Sequence, residues 1–274
     1  MLYIVSTPIG NLKDISLRAL EVLKSVDIIA CEDTRRSAVL LNHYGISKPL
    51  ISFHKFNERT AAENLITKLK DGKNIALISD AGTPLISDPG NILTEELRKN
   101  GIKYTVIPGA CALVAGLALS GFDSAKFLFL GFLTGNNKNK TEFLEKYKNI
   151  DATLIFYISP HDLQKDAGLI HSVLGARRAC LVREITKIYE SVFDFVLGSE
   201  LPELKGEMVL VVEGAKEIIN PLNSLSVEKH CEYYMNLGFS KTDAIKKTAK
   251  DRNVTKNEIY KVMIKNLLDR GVDA

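Results

Sequence analysis

The chain lacks the features that would mark a membrane protein, a secreted protein or a zinc protein. No run of about 18 apolar residues could span a bilayer, and no basic and then apolar leader precedes the first apolar segment, residues 2–5. The four cysteines stand far apart, without a CxxC pair or a histidine at metal-ligand spacing. We therefore expect a cytoplasmic protein with buried thiols, no bound metal and no membrane partner.

Two common phosphate-binding signatures are also missing. Neither GxGxxG nor GxxxxGK[ST] occurs in the chain. A dinucleotide or a nucleoside triphosphate would therefore find no glycine-rich loop of the usual kind for its phosphates. A cofactor without phosphate is favoured.

The composition is that of an ordinary globular protein with a slightly basic tail. The chain has 274 residues, 46% of them hydrophobic and 25% charged, which is enough for two domains, or for one large domain with an appendage. The formal net charge is +3, and residues 221–274 alone carry ten basic and seven acidic side chains. This excess in the tail indicates either an acidic partner or a solvated helical surface.

Predicted strands and helices alternate through the first half of the chain. Apolar runs predict strands at 2–5, 26–30, 50–53, 75–78 and 104–107, with a helical pattern after each of the first four, the first of them capped by Asp14. This order predicts βαβ units and a parallel sheet. Because the carboxyl ends of parallel strands share one edge, the loops 6–13, 31–36, 79–90 and 108–112 should converge there.

The most informative of these loops is the segment ISDAGTPLISDPG, residues 78–90. Its glycines Gly82 and Gly90 allow positive φ angles, while Pro84 and Pro89 restrict φ, so a stiff, preformed ligand-binding loop is predicted. The phrase Ile-Ser-Asp occurs twice in it, at 78–80 and 86–88, a spacing too short for a structural repeat. We treat this repetition as chance.

The second half predicts a mixed sheet, followed by a helical tail. Strands are expected at 127–130, 153–157, 179–182, 189–197 and 208–212, with a mobile polar loop at 134–140. Helical periodicity and a capping-box pattern at 255–258 follow. We predict an N-terminal α/β domain at 1–115, a C-terminal α/β domain at 116–219 and a helix-turn-helix-like tail at 220–274.

Two charged clusters lie at predicted strand exits, EDTRR at 32–36 and REITK at 183–187. Such clusters are often solvated ion pairs, but in a cleft they could bind a phosphodiester and supply a base. His161 is the one histidine in a loop of this kind. Asp80 and Glu207 could accept hydrogen bonds from a ribose or an amine, or could cap helices.

These segments together resemble a known family. STPIGNLKDISLRAL, ACEDTRRS, ISDAGTPLISDPG, the Pro108-Gly109 turn, LIFYISPH, VREITK and KGEMVLVVEG are similar to the ribosomal RNA small subunit methyltransferase I family of the tetrapyrrole methylase superfamily. The resemblance covers residues 1–214, and the tail resembles the helical domain that ends many members. It implies two α/β domains with S-adenosylmethionine between them, a homodimer, and methylation of the ribose 2′-oxygen of a decoding-centre (P-site) cytidine in 16S rRNA.

The resemblance also assigns the cofactor site, position by position. The cofactor-binding residues would be Pro8, Asp80, Gly82, Thr83, Pro84, Ile86, Gly109, Cys111, Tyr157, Glu207 and Met208. Three departures from the family pattern concern loop contacts: Ala110-Cys111 replaces Pro-Ser, the 131–138 loop lacks a proline, and Ile158 replaces a glutamate. If the missing serine hydroxyl bonds the cofactor, the thiol of Cys111 is a poorer partner.

We expect in-line transfer of the methyl group, with a residue that removes the proton of the hydroxyl as the bond forms. The candidate bases are Glu184 or Lys187, with Glu32 or Asp33 as competitors. The expected RNA contacts are Arg35, Arg36, Lys138, Lys140, His161 and Arg183. The alternatives are a methyltransferase of the same fold that acts on a tetrapyrrole or a protein side chain, and a non-catalytic RNA-binding protein.

Overall fold

The computed structural model describes residues 1–215, 221–252 and 254–269. The chain forms two compact units, residues 1–215 and residues 216–274. The first unit contains two five-stranded sheets and the second contains helices. No helix in the described ranges combines the length and apolar character that a membrane span requires.

The first sheet is entirely parallel, as predicted. Its strands are β1 (Leu2–Val5), β2 (Ile28–Cys31), β3 (Leu50–Ser52), β4 (Ile75–Ile78) and β5 (Tyr104–Ile107), in the order β3-β2-β4-β1-β5. The helices are α1 (Leu17–Ser25), α2 (Thr34–His43), α3 (Glu58–Lys70), α4 (Asn91–Lys99) and α5 (Ala112–Ser120).

Helices cover both faces of this sheet. On one face, Leu65 of α3 and Leu97 of α4 pack against Leu77, and on the other, Leu23 of α1 packs against Ile78. All four residues of β4 are buried, which explains its uninterrupted apolar sequence. Each fully buried leucine or isoleucine contributes about 1.5–3 kcal/mol to stability.

The start of α1 differs from the prediction. Ser16, not Asp14, caps this helix, because its hydroxyl accepts a hydrogen bond from the backbone N–H of Ala19 at 3.1 Å. Asp14 instead ends a short 3₁₀ helix, Leu12–Asp14. Its carboxylate is therefore free to contact another part of the fold.

The second sheet is mixed, as predicted. Its strands are β6 (Phe127–Phe132), β7 (Thr153–Ile158), β8 (Arg178–Arg183), β9 (Ser191–Val196) and β10 (Met208–Val212), in the order β6-β7-β10-β8-β9. Only the β6–β7 pair is parallel. Helices α6 (Asn137–Glu145) and α7 (Leu163–Leu174) cover one face, and α5 packs on the other.

The polar segment at 134–140 is not a loop throughout, which corrects the prediction. Helix α6 begins at Asn137, and the side chain of Asn136 caps it by accepting from Asn139 N at 3.0 Å. Lys140 is buried inside this helix, and its ammonium group contacts the carboxylate of Asp166 at 2.6 Å. Lys140 is therefore wrongly predicted as an RNA contact, because its charge is already paired away from solvent.

The tail folds as short helices, at the positions that its periodicity predicts. A 3₁₀ turn (Pro221–Ser224) is followed by α8 (Val227–Asn236), α9 (Lys241–Asp251) and α10 (Lys256–Asp269), which pack through Cys231, Ile245 and Ile259. Half of the predicted capping box forms: the Thr255 hydroxyl accepts from Glu258 N at 3.3 Å, and it donates to the Glu258 carboxylate at 2.8 Å. The domain boundaries stay predictions: 115/116 falls inside α5, and 219/220 lies outside the described residues.

Candidate active site

Three predicted loops meet at one edge of the first sheet. Thr7 and Gly82 exchange two backbone hydrogen bonds, at 2.8 and 3.1 Å. The hydroxyl of Thr83 is 2.9 Å from that of Ser6 and donates to the carbonyl of Ala110 at 3.0 Å. The loops after β1, β4 and β5 are thus joined, which confirms the predicted convergence.

The fourth loop joins the same edge through Asp80. One oxygen of its carboxylate accepts from the backbone N–H of Asp33 at 3.2 Å, and the other accepts from the guanidinium of Arg36 at 2.9 Å. Asp33 itself caps α2 by accepting from Arg35 N. The EDTRR cluster is therefore tied to the loop after β4 by a charge-assisted hydrogen bond.

A cavity of about 770 Å³ lies between this edge and the second sheet. Its volume is within the range of about 300–1,000 Å³ that is common for small-molecule sites. Both α/β domains contribute to its walls. The cofactor residues predicted above that line it are Pro8, Asp80, Gly82, Thr83, Ile86, Cys111, Tyr157, Glu207 and Met208.

The second domain places a lysine between two carboxylates at this cavity. Lys187 Nζ is 2.9 Å from Glu184 Oε1 and 2.8 Å from Glu207 Oε2. Glu184 Oε1 also accepts from the backbone N–H of Glu207 at 2.8 Å. Lys187 and Glu207 line the cavity, and Glu184 lies behind them as their common partner.

Comparison with known proteins identifies the family. Residues 1–199 match the family model described as Tetrapyrrole (Corrin/Porphyrin) Methylases. A relative from Halalkalibacterium halodurans, named Ribosomal RNA small subunit methyltransferase I, is 44% identical over 95% of this chain and 93% of its own. A relative of the same name from Pasteurella multocida is 45% identical over 95% of both chains.

The chain belongs to the ribosomal RNA small subunit methyltransferase I family of tetrapyrrole methylases. Solved structures of more distant proteins share the fold. Diphthine synthase matches with a TM-score of 0.64 at 17% identity, over 78% of this chain and 89% of its own. The methyltransferase CobJ matches with a TM-score of 0.61 at 17% identity, over 78% and 94%.

Several residues that the family resemblance assigned to the site do not line the cavity of this methylase. Pro84 borders a small void next to it, and Gly109 packs on Ser6, where a Cβ would lie 2.9 Å from the serine Cβ. Both residues shape the loops beneath the cavity. The other predicted residues outside the described lining are Asp33, Arg35, Lys138, Lys140, His161, Arg183 and Glu184.

The contacts of two of these residues explain their positions. Arg35 forms an ion pair with Asp33 at 2.9 Å on the surface, and the Arg183 guanidinium donates to the carbonyl of Lys205. Hydrogen bonds from the side chain and backbone of Arg35 lower the pKa of Asp33 to about 2. Asp33 is therefore a weak base, occupied by its cap and its ion pair.

The cavity also contains residues that sequence reasoning missed, of which Asp88 is the most notable. Burial raises the pKa of Asp88 to about 6, with help from the charges of Glu32 and Asp80 and against a hydrogen bond from Ser79. The Ile-Ser-Asp repetition, treated as chance, was the available signal. The other missed lining residues are Ile9, Gly10, Leu12, Val39, Leu40, Ala81, Ser87, Ala112, Phe132, Ile158, Ser159, Pro160, Ile185 and Val209.

Glu32 and Tyr157 line opposite walls of the cavity. Burial, and then repulsion by Asp80, raises the pKa of Glu32 above its usual value. Burial raises the pKa of Tyr157 to about 12, so its hydroxyl stays neutral, and this hydroxyl accepts from Leu113 N at 3.2 Å. Tyr157 also makes an edge contact with Phe132, whose ring centroid is 5.4 Å away.

In the cluster of Lys187, Glu184 and Glu207, the pKa shifts of Lys187 and Glu184 favour the charged forms. Burial favours a lower pKa for Lys187, but its hydrogen bonds to Glu207 and Glu184 outweigh this effect and raise the pKa. Burial favours a higher pKa for Glu184, but the bonds from Glu207 N and Lys187 outweigh it and lower the pKa. Both side chains are therefore charged at neutral pH.

Backbone strain is concentrated in two loops at the cavity. In the described ranges, the non-glycine residues with positive φ are Leu85 (75°), Ser87 (67°), Glu184 (52°) and Thr186 (66°). Such conformations persist where the surrounding structure enforces them, often at functional sites. The described residues contain no group of three or more His, Cys, Asp or Glu side chains that could hold a metal ion.

Proposed function

We propose that this chain transfers a methyl group from S-adenosylmethionine to the ribose 2′-oxygen of a decoding-centre (P-site) cytidine in 16S rRNA. One observation carries the proposal: four loops of the first sheet join at a single edge and, with the second domain, enclose a cavity of about 770 Å³. Relatives 44–45% identical to this chain bear the name of an rRNA methyltransferase. That name supports the substrate class, and the cytidine and its 2′-oxygen are the finer part of the proposal.

The residues of the cavity fit a cofactor that carries positive charge and no phosphate. Asp80, Asp88, Glu32 and Glu207 place carboxyl groups on its walls. A cation is favoured near such groups, and Gly82 and Thr83 bring the backbone close to the ligand. Bound S-adenosylmethionine would supply a methyl group on a sulfonium leaving group.

The charge states at the cavity favour one of the four candidate bases, Glu184, Lys187, Glu32 and Asp33. The raised pKa of Lys187 favours a cation that orients the acceptor ribose or its phosphate over a base. Glu184 is engaged by Lys187 and Glu207 N, and Asp33 lies outside the lining. Glu32 is then the favoured base, because it lines the cavity and burial raises its pKa above the usual value.

The RNA would approach the cavity over a surface that carries cations. Arg36 lines the cavity, and Lys138 is exposed on α6. We propose these residues, with Arg35, Arg183, His161 and the tail lysines, as contacts to the RNA backbone or bases. Affinity for the small ribosomal subunit should then fall steeply with salt, because phosphate contacts release counterions. Homodimerisation is part of the same proposal.

The test is methyl transfer into purified 30S subunits lacking ribose methylation, followed by nuclease digestion and mass mapping of the product. The expected product is one 2′-O-methylcytidine in the decoding centre. Glu32→Gln should lower the single-turnover rate by about 100-fold. The exposed Glu21→Gln on α1 is the matched control and should leave the rate unchanged.

Other outcomes of the same assay would replace the proposal. A methyl group on a base, or transfer only to a tetrapyrrole or a protein side chain, would contradict the 2′-oxygen assignment. A purely RNA-binding protein would show no calorimetric binding of S-adenosylmethionine. A rate for Glu32→Gln equal to that of Glu21→Gln would remove Glu32 from the mechanism.

A further inference from the structure

The connection between β8 and β9 reaches from the second α/β domain to the first. The hydroxyl of Thr186 donates to the carboxylate of Asp14 at 2.6 Å, across 172 positions of the chain. Next to it, Lys187 packs on Gly10, where an added Cβ would lie only 2.4 Å from the lysine Cγ. Two neighbouring residues of this connection thus contact the loop that follows β1.

The contact is made from a turn with an unfavourable backbone. Glu184 and Thr186 both have positive φ angles, 52° and 66°, although neither is a glycine. The turn is closed by the bond from Lys187 N to the carbonyl of Glu184 at 3.0 Å. It aims the lysine side chain back toward Glu184 and Glu207 and along the cavity wall.

Besides the backbone hydrogen bonds of its own turn, Lys187 has three supports. Its ammonium group is held by two carboxylates of its own domain, its stem rests on Gly10, and the residue before it is bonded to Asp14. Only the last two fix the ammonium group relative to the loop after β1. A shift of about 1 Å at such a group can cost a large factor in rate without changing the fold.

We propose that Thr186 and Asp14 are a positioning pair, which joins the two α/β domains and sets the place of Lys187 at the methyl-transfer cavity. The inference rests on the proposed function for its consequence in catalysis. Its structural part, that the Thr186–Asp14 bond holds Lys187, stands on the contacts alone. The bond is exposed, so a mere contribution to stability would be small.

The first measurement compares Thr186→Val, which keeps the shape and removes the hydroxyl, with Thr186→Ser, which keeps the hydroxyl. We expect kcat on 30S subunits to fall at least tenfold in Thr186→Val and to stay within twofold in Thr186→Ser. The Kd for S-adenosylmethionine and the Tm should change little in either. Thr94→Val is the matched control, because the Thr94 hydroxyl donates within α4, to the carbonyl of Asn91, in an exposed bond outside the cavity lining.

Variants of Asp14 provide the second test of the pair. Asp14→Ala should lower kcat as Thr186→Val does, and the double variant should be no slower than either single one, since both remove the same bond. Asp14→Asn retains an oxygen acceptor and should keep most of the activity. Additive losses in the double variant would show that the two residues act independently and would overturn the pair.

A readout without substrate separates this inference from the proposed function. Pulsed acetylation followed by mass spectrometry gives the reactivity of Lys187, with exposed Lys24 as the internal reference. In the wild type Lys187 should react slowly, and in Thr186→Val or Asp14→Ala its rate should rise several-fold. If wild-type protein does not methylate 30S subunits, the proposed function fails and the labelling alone decides. Unchanged labelling in both variants would overturn the inference.

Discussion

Carboxylate side chains on the two sides of the cavity have pKa shifts of opposite direction. On the wall from the first domain, Glu32 and Asp88 have raised pKa values, because burial and neighbouring carboxylates disfavour their charge. Behind the wall from the second domain, Glu184 has a lowered pKa, although burial acts against it. The difference comes from two donors to Glu184: first the backbone N–H of Glu207 at 2.8 Å, and then the ammonium group of Lys187 at 2.9 Å. One wall can therefore accept a proton, and the other carries fixed charge.

The largest effect should follow when a carboxylate loses its cation where water cannot reach it. Lys140 and Asp166 form such a pair away from the cavity, and both side chains are 6% exposed. Lys140→Met should lower the free energy of unfolding by about 3–5 kcal/mol, because it leaves a buried charge unpaired. Chemical denaturation measures this. The exposed Lys138→Met should lower the free energy of unfolding by less than about 1 kcal/mol. If both variants lost the same amount, burial would not explain the effect at Lys140.

Removing the cation at the cavity should affect catalysis more than stability. Lys187→Met leaves Glu184 and Glu207 facing each other without a counter-charge. We expect a loss of about 100-fold or more in kcat, typical of a lost electrostatic contact to the reacting group. The Lys24→Met variant on α1 is the control in single-turnover assays. If Lys187→Met retained full rate, its charge would have no part in the reaction.

A smaller effect is expected at Asp80, which lies on the wall from the first domain and has its own cation, Arg36. Asp80→Asn weakens the bonds from Arg36 and Asp33 N that tie two loops together, and removes a negative charge from the cavity. Affinity for S-adenosylmethionine should fall by about tenfold, or about 1.4 kcal/mol. Isothermal calorimetry measures it. Asp71→Asn, on the turn after α3, should bind as the wild type does.

The smallest expected effect concerns pH and Asp88. Its pKa is raised from 3.8 to about 6 on folding, so the folded state binds more protons than the unfolded state between these values. Stability therefore decreases as pH rises through this window and stays lower above it. Asp88→Asn removes the penalty, so its Tm should exceed that of the wild type at pH 8 by about 2–4 °C. The gain should vanish near pH 4, and a pH-independent gain would contradict the assignment.

Part of the site could be predicted from the sequence because parallel strands impose it. The apolar run at 75–78 and its counterparts at 2–5 and 104–107 define neighbouring parallel strands. The loops after them must then share one edge, so Thr7, Gly82 and Ala110 come together. The glycine and proline positions of 78–90 indicated a shaped loop, and the structure places positive φ angles there.

Two of the misses concern charged side chains, Lys140 and Asp88. Lys140 reads as a solvated lysine in a polar segment, and only the packing of α6 on α7 buries it beside Asp166. Asp88 follows the same Ile-Ser pair as Asp80, yet burial raises the pKa of Asp88, whereas Asp80 is bonded to the guanidinium of Arg36. A pattern of residue types reveals the period of a strand or helix, but it does not reveal how deeply a carboxylate is buried.

What the sequence determined by itself is the order of strands and helices, the parallel first sheet and the loops that end at its edge, because these depend on local periodicity and on turn residues. What only the tertiary structure decided is which charges meet. Lys187 finds Glu207 20 positions away, and Thr186 finds Asp14 172 positions away. The energy of a charge depends on its solvent and its neighbours in space, and both are set only when the chain has folded.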